Sequence, residues 1–175
     1  MSTILLITGP SGAGKTTTSR EFLKSASGVW AYLSQDDLRQ LVVTGYHSAD
    51  DYRKDWNKET QRQWNVSIPL CVDMAKRYHE AGINCVVDFY GPPEEFVIWE
   101  KHLKNLPYKL VVLLPDEEIT VERNNGRDER SKLKESIVRE NHRLFDGWKN
   151  RGVSVIDTSH IEINDSVKRI KELID

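Results

Sequence analysis

Apolar positions along this chain fall into two patterns, short unbroken runs and longer stretches where they return every three or four residues. Ile4-Leu5-Leu6-Ile7, Val29-Trp30-Ala31-Tyr32-Leu33, Asn84-Cys85-Val86-Val87-Asp88, Lys109 to Leu114 and Val153 to Asp157 are of the first kind and predict five strands. The Lys109 to Leu114 run is nearly continuous in apolarity, as a central parallel strand buried on both faces should be. The second pattern predicts helices between them. The first spans Gly14 to Ser25 and is broken at Ser27-Gly28. Ser34-Gln35-Asp36-Asp37-Leu38-Arg39 opens another, with an acidic residue available as its cap. Thr44 to Tyr52 is polar and reads as a loop or a broken helical turn. From Asp55 to Ala81 a long helical region places Trp64, Ile68, Cys71 and Ala75 on one face. Pro69 predicts a kink or break near Ile68, and Gly82 ends the region. Gly91-Pro92-Pro93 turns into a helix from Glu94 to Leu103. Pro115-Asp116-Glu117-Glu118 opens the helix that carries Arg123, interrupted by Asn124-Asn125-Gly126. Lys132 to Trp148 offers Leu133, Ile137, Leu144 and Trp148 for a buried side, and Ile163 to Ile174 forms the last helix. Strands alternating with helices, without an internal repeat, predict an α/β fold: one five-stranded parallel sheet sandwiched between helices.

The chemistry begins at the end of the first strand. Gly9-Pro10-Ser11-Gly12-Ala13-Gly14-Lys15-Thr16 matches the pattern G-x-x-x-x-G-K-[ST], with a strand before it and a helix after it. In that context the backbone N–H groups of a tight loop, backed by a helix N-terminus, attract phosphate. Lys15 would reach the β and γ phosphates, the Thr16 hydroxyl would ligate Mg²⁺, and Thr17 continues the cradle. The motif predicts a P-loop fold that binds a nucleoside triphosphate, with other functional groups gathered at the carboxyl ends of the strands.

Composition narrows this without redirecting it. With 175 residues, 30% of them charged, and a net charge of -2, the chain suits one core and lacks a broad basic face for nonspecific nucleic-acid binding. No run is long enough for a membrane span, and the N-terminus enters strand and loop directly, so a cytoplasmic protein is expected. Cys71 and Cys85 have no metal-binding spacing and read as buried thiols. No N-K-x-D stretch is present to read guanine, and the length leaves no room for the added domains of a motor or helicase.

Four further groups are candidates. Asp36 and Asp37 follow the second strand, where a carboxylate can accept a hydroxyl proton, hold the Mg²⁺ shell or cap a helix. Spacing does not choose between the two. Asp88 ends the third strand as a metal-associated carboxylate would, whereas Asp157 ends the fifth with nothing converging on it and reads as structural. Arg39 can share the cleft with Asp36 and grip an anionic part of an acceptor, or lie on the surface. Arg123 and Arg127, with Arg130 as a weaker third, suggest a small lid at about residues 123–131, loosened by Asn124-Asn125-Gly126, that closes over the phosphates.

The loop Gly9 to Thr16 followed by Asp36-Asp37-Leu38-Arg39 resembles the amino-terminal kinase domain of bacteriophage polynucleotide 5′-kinases. The wider group includes chloramphenicol phosphotransferase, gluconate kinase, shikimate kinase and zeta-toxin-like kinases. The likeness continues through Arg20-Glu21-Phe22 and Gly28 to Arg39, and returns at Asp88, Arg123-Asn124 and Arg127. It implies Asp36 as the general base, Arg39 at the acceptor or reacting centre, and Arg123 and Arg127 as lid arginines. Gln35 stands where the phage motif is basic, Ser34 offers only a hydroxyl, and Asp128 and Glu129 make the lid more acidic. Tyr46, Tyr52, Trp56 and Trp64 are rings that can stack on a base, a sugar or an aromatic acceptor, and Trp64 can equally be core.

The combined expectation is an ATP- and Mg²⁺-dependent kinase, with Thr16 and an outer-shell Asp88 at the metal. Its acceptor is a hydroxyl of a small molecule, with two alternatives: a polynucleotide or nucleoside 5′-hydroxyl, and a nucleotide-binding regulatory ATPase that is not a kinase. Monomer and homodimer are both open.

Overall fold

In a computed structural model, which describes residues 2–47, 57–129 and 131–174, the strands are β1 (Ile4–Thr8), β2 (Trp30–Ser34), β3 (Asn84–Asp88), β4 (Tyr108–Leu113) and β5 (Ser154–Ile156). They form one parallel sheet in the order β2-β3-β1-β4-β5. β1 is central and buried along its whole length, because helices cover both faces. Its side chains alternate accordingly. Ile4 and Leu6 join Ile68, Cys71, Phe96, Trp99, Phe145 and Trp148 on one face. Leu5 and Ile7 join Phe22, Val167 and Ile170 on the other. The α/β sandwich expected from the apolar runs is the fold observed.

The helices are α1 (Lys15–Ser25), α2 (Gln35–Gln40), α3 (Lys58–Glu80), α4 (Pro93–His102), α5 (Glu117–Asn125), α6 (Glu135–Arg143) and α7 (Ile163–Ile174). Asn57 caps α3 by accepting from the Glu59 and Thr60 amides, and the helix then runs through Pro69 without the expected break. Packing of Ile68, Cys71, Val72 and Ala75 into the core outweighs the one backbone hydrogen bond proline removes.

The single helix expected over Lys132 to Trp148 is instead α6 followed by a 3₁₀ turn, Asp146–Asn150. The tighter winding brings Phe145 and Trp148, three apart, into the same core, both essentially fully buried. Leu144 is therefore left 41% exposed, and Leu133 and Ile137 line a cleft rather than the core. The periodicity identified an apolar face, but that face is divided between protein and cleft. No helix among the described residues is long and apolar enough to cross a membrane. Tyr52, Trp56 and Arg130 lie outside the described residues.

Candidate functional site

The carboxyl ends of β1, β2 and β3 open into a cavity of about 390 Å³. Its floor is the loop from Gly9 to Thr16. The Ala13 amide donates to the Pro10 carbonyl, closing the turn, and Gly14 in the left-handed region starts α1 without a side-chain cap. The first-turn N–H groups of α1 thus face a helix end that has no internal acceptor for them. Close packing demands glycine twice. A Cβ on Gly9 would stand 2.3 Å from the Leu113 carbonyl oxygen, and one on Gly12 would stand 2.8 Å from that of Thr120. Gly9, Pro10 and Ala13 shape the loop from behind, while Ser11, Gly12, Gly14, Lys15, Thr16 and Thr17 line the cavity.

Lys15 folds back over the loop, its Nζ donating to the carbonyls of Gly9 (2.9 Å) and Pro10 (3.1 Å). Burial pushes its pKa below the ordinary lysine value, against the opposing pull of Asp88 and Asp36. Beside it, Thr16 Oγ1 donates to Asp88 Oδ2 at 2.6 Å, and the Tyr32 hydroxyl donates to the same oxygen at 3.1 Å. Burial raises the Asp88 pKa, with Lys15 and the two hydroxyl donors opposing. Tyr32 is pushed up to about 12 by burial and then by the Asp88 charge. A hydroxyl and a carboxylate are hard oxygen donors of the kind Mg²⁺ takes. No group of three or more His, Cys, Asp or Glu capable of holding a metal occurs among the described residues, so a cation at this pair would draw its remaining oxygens from phosphate and water.

Asp36 and Asp37 part company at the start of α2. Ser34 caps the helix by accepting from the Asp37 amide, and only Asp36 faces the cavity. Arg39 is not the surface residue it could have been: it is 4% exposed. Its Nη1 donates to Asp36 Oδ1 at 3.0 Å and its Nη2 to the His47 carbonyl at 3.1 Å. The guanidinium carbon lies 5.0 Å from the Trp64 ring centroid and 5.6 Å from that of Tyr46. Those contacts depend on Gln63, which accepts from the His47 amide and donates to the Gly45 carbonyl at 2.6 Å. Gln35, which replaces a basic residue in the resembling motif, is buried. It bridges Ser67 Oγ and the Tyr90 amide.

The two arginines expected in a lid go to different places. Arg127 lines the cavity, its Nη1 donating to Ser11 Oγ at 3.0 Å. Arg123 does not line it and instead donates to the Thr158 hydroxyl and, at 2.6 Å, to the Thr158 carbonyl. Thr158 in turn reaches the Ala13 carbonyl. Asn124, expected to loosen the segment, is fully buried, and its amide both donates to the Leu133 carbonyl and accepts from the Leu133 amide. It clamps the return of the chain toward α6. Asp157 accepts from Ser159 twice, the structural role expected of it.

The model of the AAA domain family matches residues 4–147, and the chain belongs to that family. No curated protein sequence matches it significantly. Solved structures share its fold at low identity. A tunicamycin resistance protein of Deinococcus radiodurans superposes with a TM-score of 0.73 at 20% identity, covering 99% of this chain and 96% of its own. A sugar kinase of a Janibacter species gives 0.70 at 14% identity, covering 100% and 95%. Shikimate kinase of Acinetobacter baumannii gives 0.67 at 17% identity, covering 99% and 93%. The fold is the P-loop kinase fold that these sugar and shikimate kinase structures share; nothing in these likenesses singles out the phage-kinase group.

Proposed function

We propose that this member of the AAA domain family is an ATP- and Mg²⁺-dependent phosphotransferase acting on a hydroxyl of a small molecule. One observation carries the reading: Lys15, Thr16, Asp88, Asp36, Arg39 and Arg127, drawn from four stretches of the chain, converge on one cavity above the phosphate loop. Phosphoryl transfer needs alignment and charge stabilisation more than covalent chemistry, and this set supplies both. The loop and Lys15 hold the β and γ phosphates of ATP. Thr16 would hold Mg²⁺ directly and Asp88 through its outer shell, where the cation neutralises charge on the phosphate oxygens. Asp36 takes the proton of the acceptor hydroxyl as its oxygen bonds to the γ phosphorus. The bond from that phosphorus to the β–γ bridging oxygen breaks, leaving ADP and a phosphate monoester. Arg39 orients Asp36 and the acceptor, and Arg127 neutralises the transferring group. Arg123, fastened to Thr158, braces the base of the segment 123–131, which acts as the lid of a single kinase domain.

The test follows γ-³²P from ATP into sugars, nucleosides, antibiotics and 5′-hydroxyl oligonucleotides, with Asp36→Asn as control. Transfer to a small hydroxylated compound should fall by about 10²–10⁴ in the variant while ATP binding persists. Label reaching only the oligonucleotide would replace the small-molecule reading with an end-kinase. Free phosphate released equally by both proteins, with no acceptor labelled, would sink the role of Asp36.

A further inference from the structure

Beyond the phosphate loop the cleft has an unusual wall for a site that must handle charge. Ile137 of α6, Leu133 just before that helix and Leu144 just after it add aliphatic groups to the cavity lining. The same cavity is lined by Trp64 of α3 and by Tyr90, which follows β3, in an edge-to-face pair with centroids 5.8 Å apart. The Tyr90 hydroxyl donates to Asn141 Oδ1 of α6 at 3.0 Å, which ties the ring to that helix. Leu144 is 41% exposed in a cluster of apolar neighbours, which marks a binding surface rather than a stray surface leucine.

Charge is distributed to match. Among the described residues lining the cavity, Lys15 and Arg127 bind the phosphate loop itself. Arg39 already serves Asp36 and His47. Asp36, paired with Arg39, and Glu95 add carboxylates to the lining. An anionic acceptor would have to shed water next to those carboxylates and against aliphatic groups, at a high cost. A ring with an apolar face would gain from the same surfaces.

We infer that the acceptor is an uncharged amphipathic alcohol, a ring-bearing molecule that lays its apolar face against the surface lined by Trp64, Tyr90, Ile137 and Leu144 and presents one hydroxyl to Asp36. The inference rests on the phosphotransferase reading of this site, and α6 becomes its specificity element. Matched pairs of probes separate the two ideas. With γ-labelled ATP, p-nitrophenyl β-D-glucoside is compared with p-nitrophenyl β-D-glucuronide, adenosine with adenosine 3′-monophosphate, and glucose serves as a neutral acceptor without an apolar ring.

The expected result is a kcat/KM at least about tenfold higher for the neutral ring-bearing alcohols than for their anionic partners or for glucose. Leu144→Asp, at an exposed position that the fold does not depend on, should raise the acceptor KM about tenfold with ATP affinity unchanged. Leu144→Ala should give a smaller rise in the same direction. Equal or better labelling of the anionic partners or of glucose, or an acceptor KM unmoved by Leu144→Asp, would overturn the inference while leaving phosphoryl transfer intact. Label on no probe at all would count against the phosphotransferase reading itself, and the inference would fall with it.

Discussion

The two halves of the cleft are held in shape by different parts of the chain. The phosphate half is local: Gly9 to Thr16 is shaped by its own turn, by the start of α1, and by the backbone of Leu113 and Thr120 pressing against its glycines. The acceptor half is assembled from afar. Arg39 owes its pose to a loop carbonyl at His47, that loop to Gln63 of α3, and the aliphatic lining to α6 and the residues on either side of it. A local site can be written in eight consecutive residues, whereas an assembled one is spread over side chains that share no motif. On the proposed function, such a site could change its acceptor without touching its nucleotide chemistry.

The largest effect should come from attacking the local half. Gly9→Ala forces a methyl group to 2.3 Å from a backbone oxygen that sits in β4, so the loop or the strand must move. The expected cost is about 2–3 kcal/mol of stability together with loss of measurable ATP binding, read by thermal melts and calorimetric titration. A variant that melts and binds ATP like the parent would show that the loop is not fixed by its immediate neighbours.

A smaller and more selective effect is expected from Gln63→Leu. The substitution leaves the Gly45 carbonyl and the His47 amide without their partner, at a cost of about 1–2 kcal/mol because both groups lie close to water. Steady-state kinetics should show acceptor kcat/KM lower by about tenfold, since Arg39 loses its support, while the ATP dissociation constant holds. Equal losses toward both substrates would erase the distinction between the halves.

That distinction also explains what was legible in the sequence. The strands, the phosphate loop and the Asp36-Asp37 pair at the start of α2 rest on local periodicity or on one contiguous stretch, and each can be found without knowing the fold, although which aspartate faces the cavity cannot. The burial of Arg39 could not be, because Trp64 and the His47 carbonyl, whose loop Gln63 holds, reach it only once α3 packs beside α2. Asn124 was misread for the same reason. Its propensity suggests a loose turn, but its two hydrogen bonds go to Leu133, nine residues on. Ile137 and Leu144 carried the right signal for an apolar face, yet periodicity does not say whether that face meets protein or ligand.

The mildest test concerns the cost that the phosphate half bears before any ligand arrives. Burial raises the pKa of Asp88 above its ordinary value of 3.8, despite Lys15 and the hydroxyls of Thr16 and Tyr32. The folded chain therefore holds this proton more tightly than the unfolded chain does. Stability must fall as pH climbs from the unfolded value through the folded one, and it stays lower above that window. Asparagine stands in for the protonated acid, since its single carbonyl oxygen can still accept from both hydroxyls. Asp88→Asn should thus melt at a higher temperature than the parent near pH 7 without ligand, and the gap should close below about pH 4. With Mg²⁺ and ATP added, the order should reverse, because the parent gains a cation shell that the amide supports poorly. A variant that melts lower at pH 7 without ligand would mean the buried carboxylate is already repaid by Lys15. The local half would then be at rest in the empty protein, not poised for a cation.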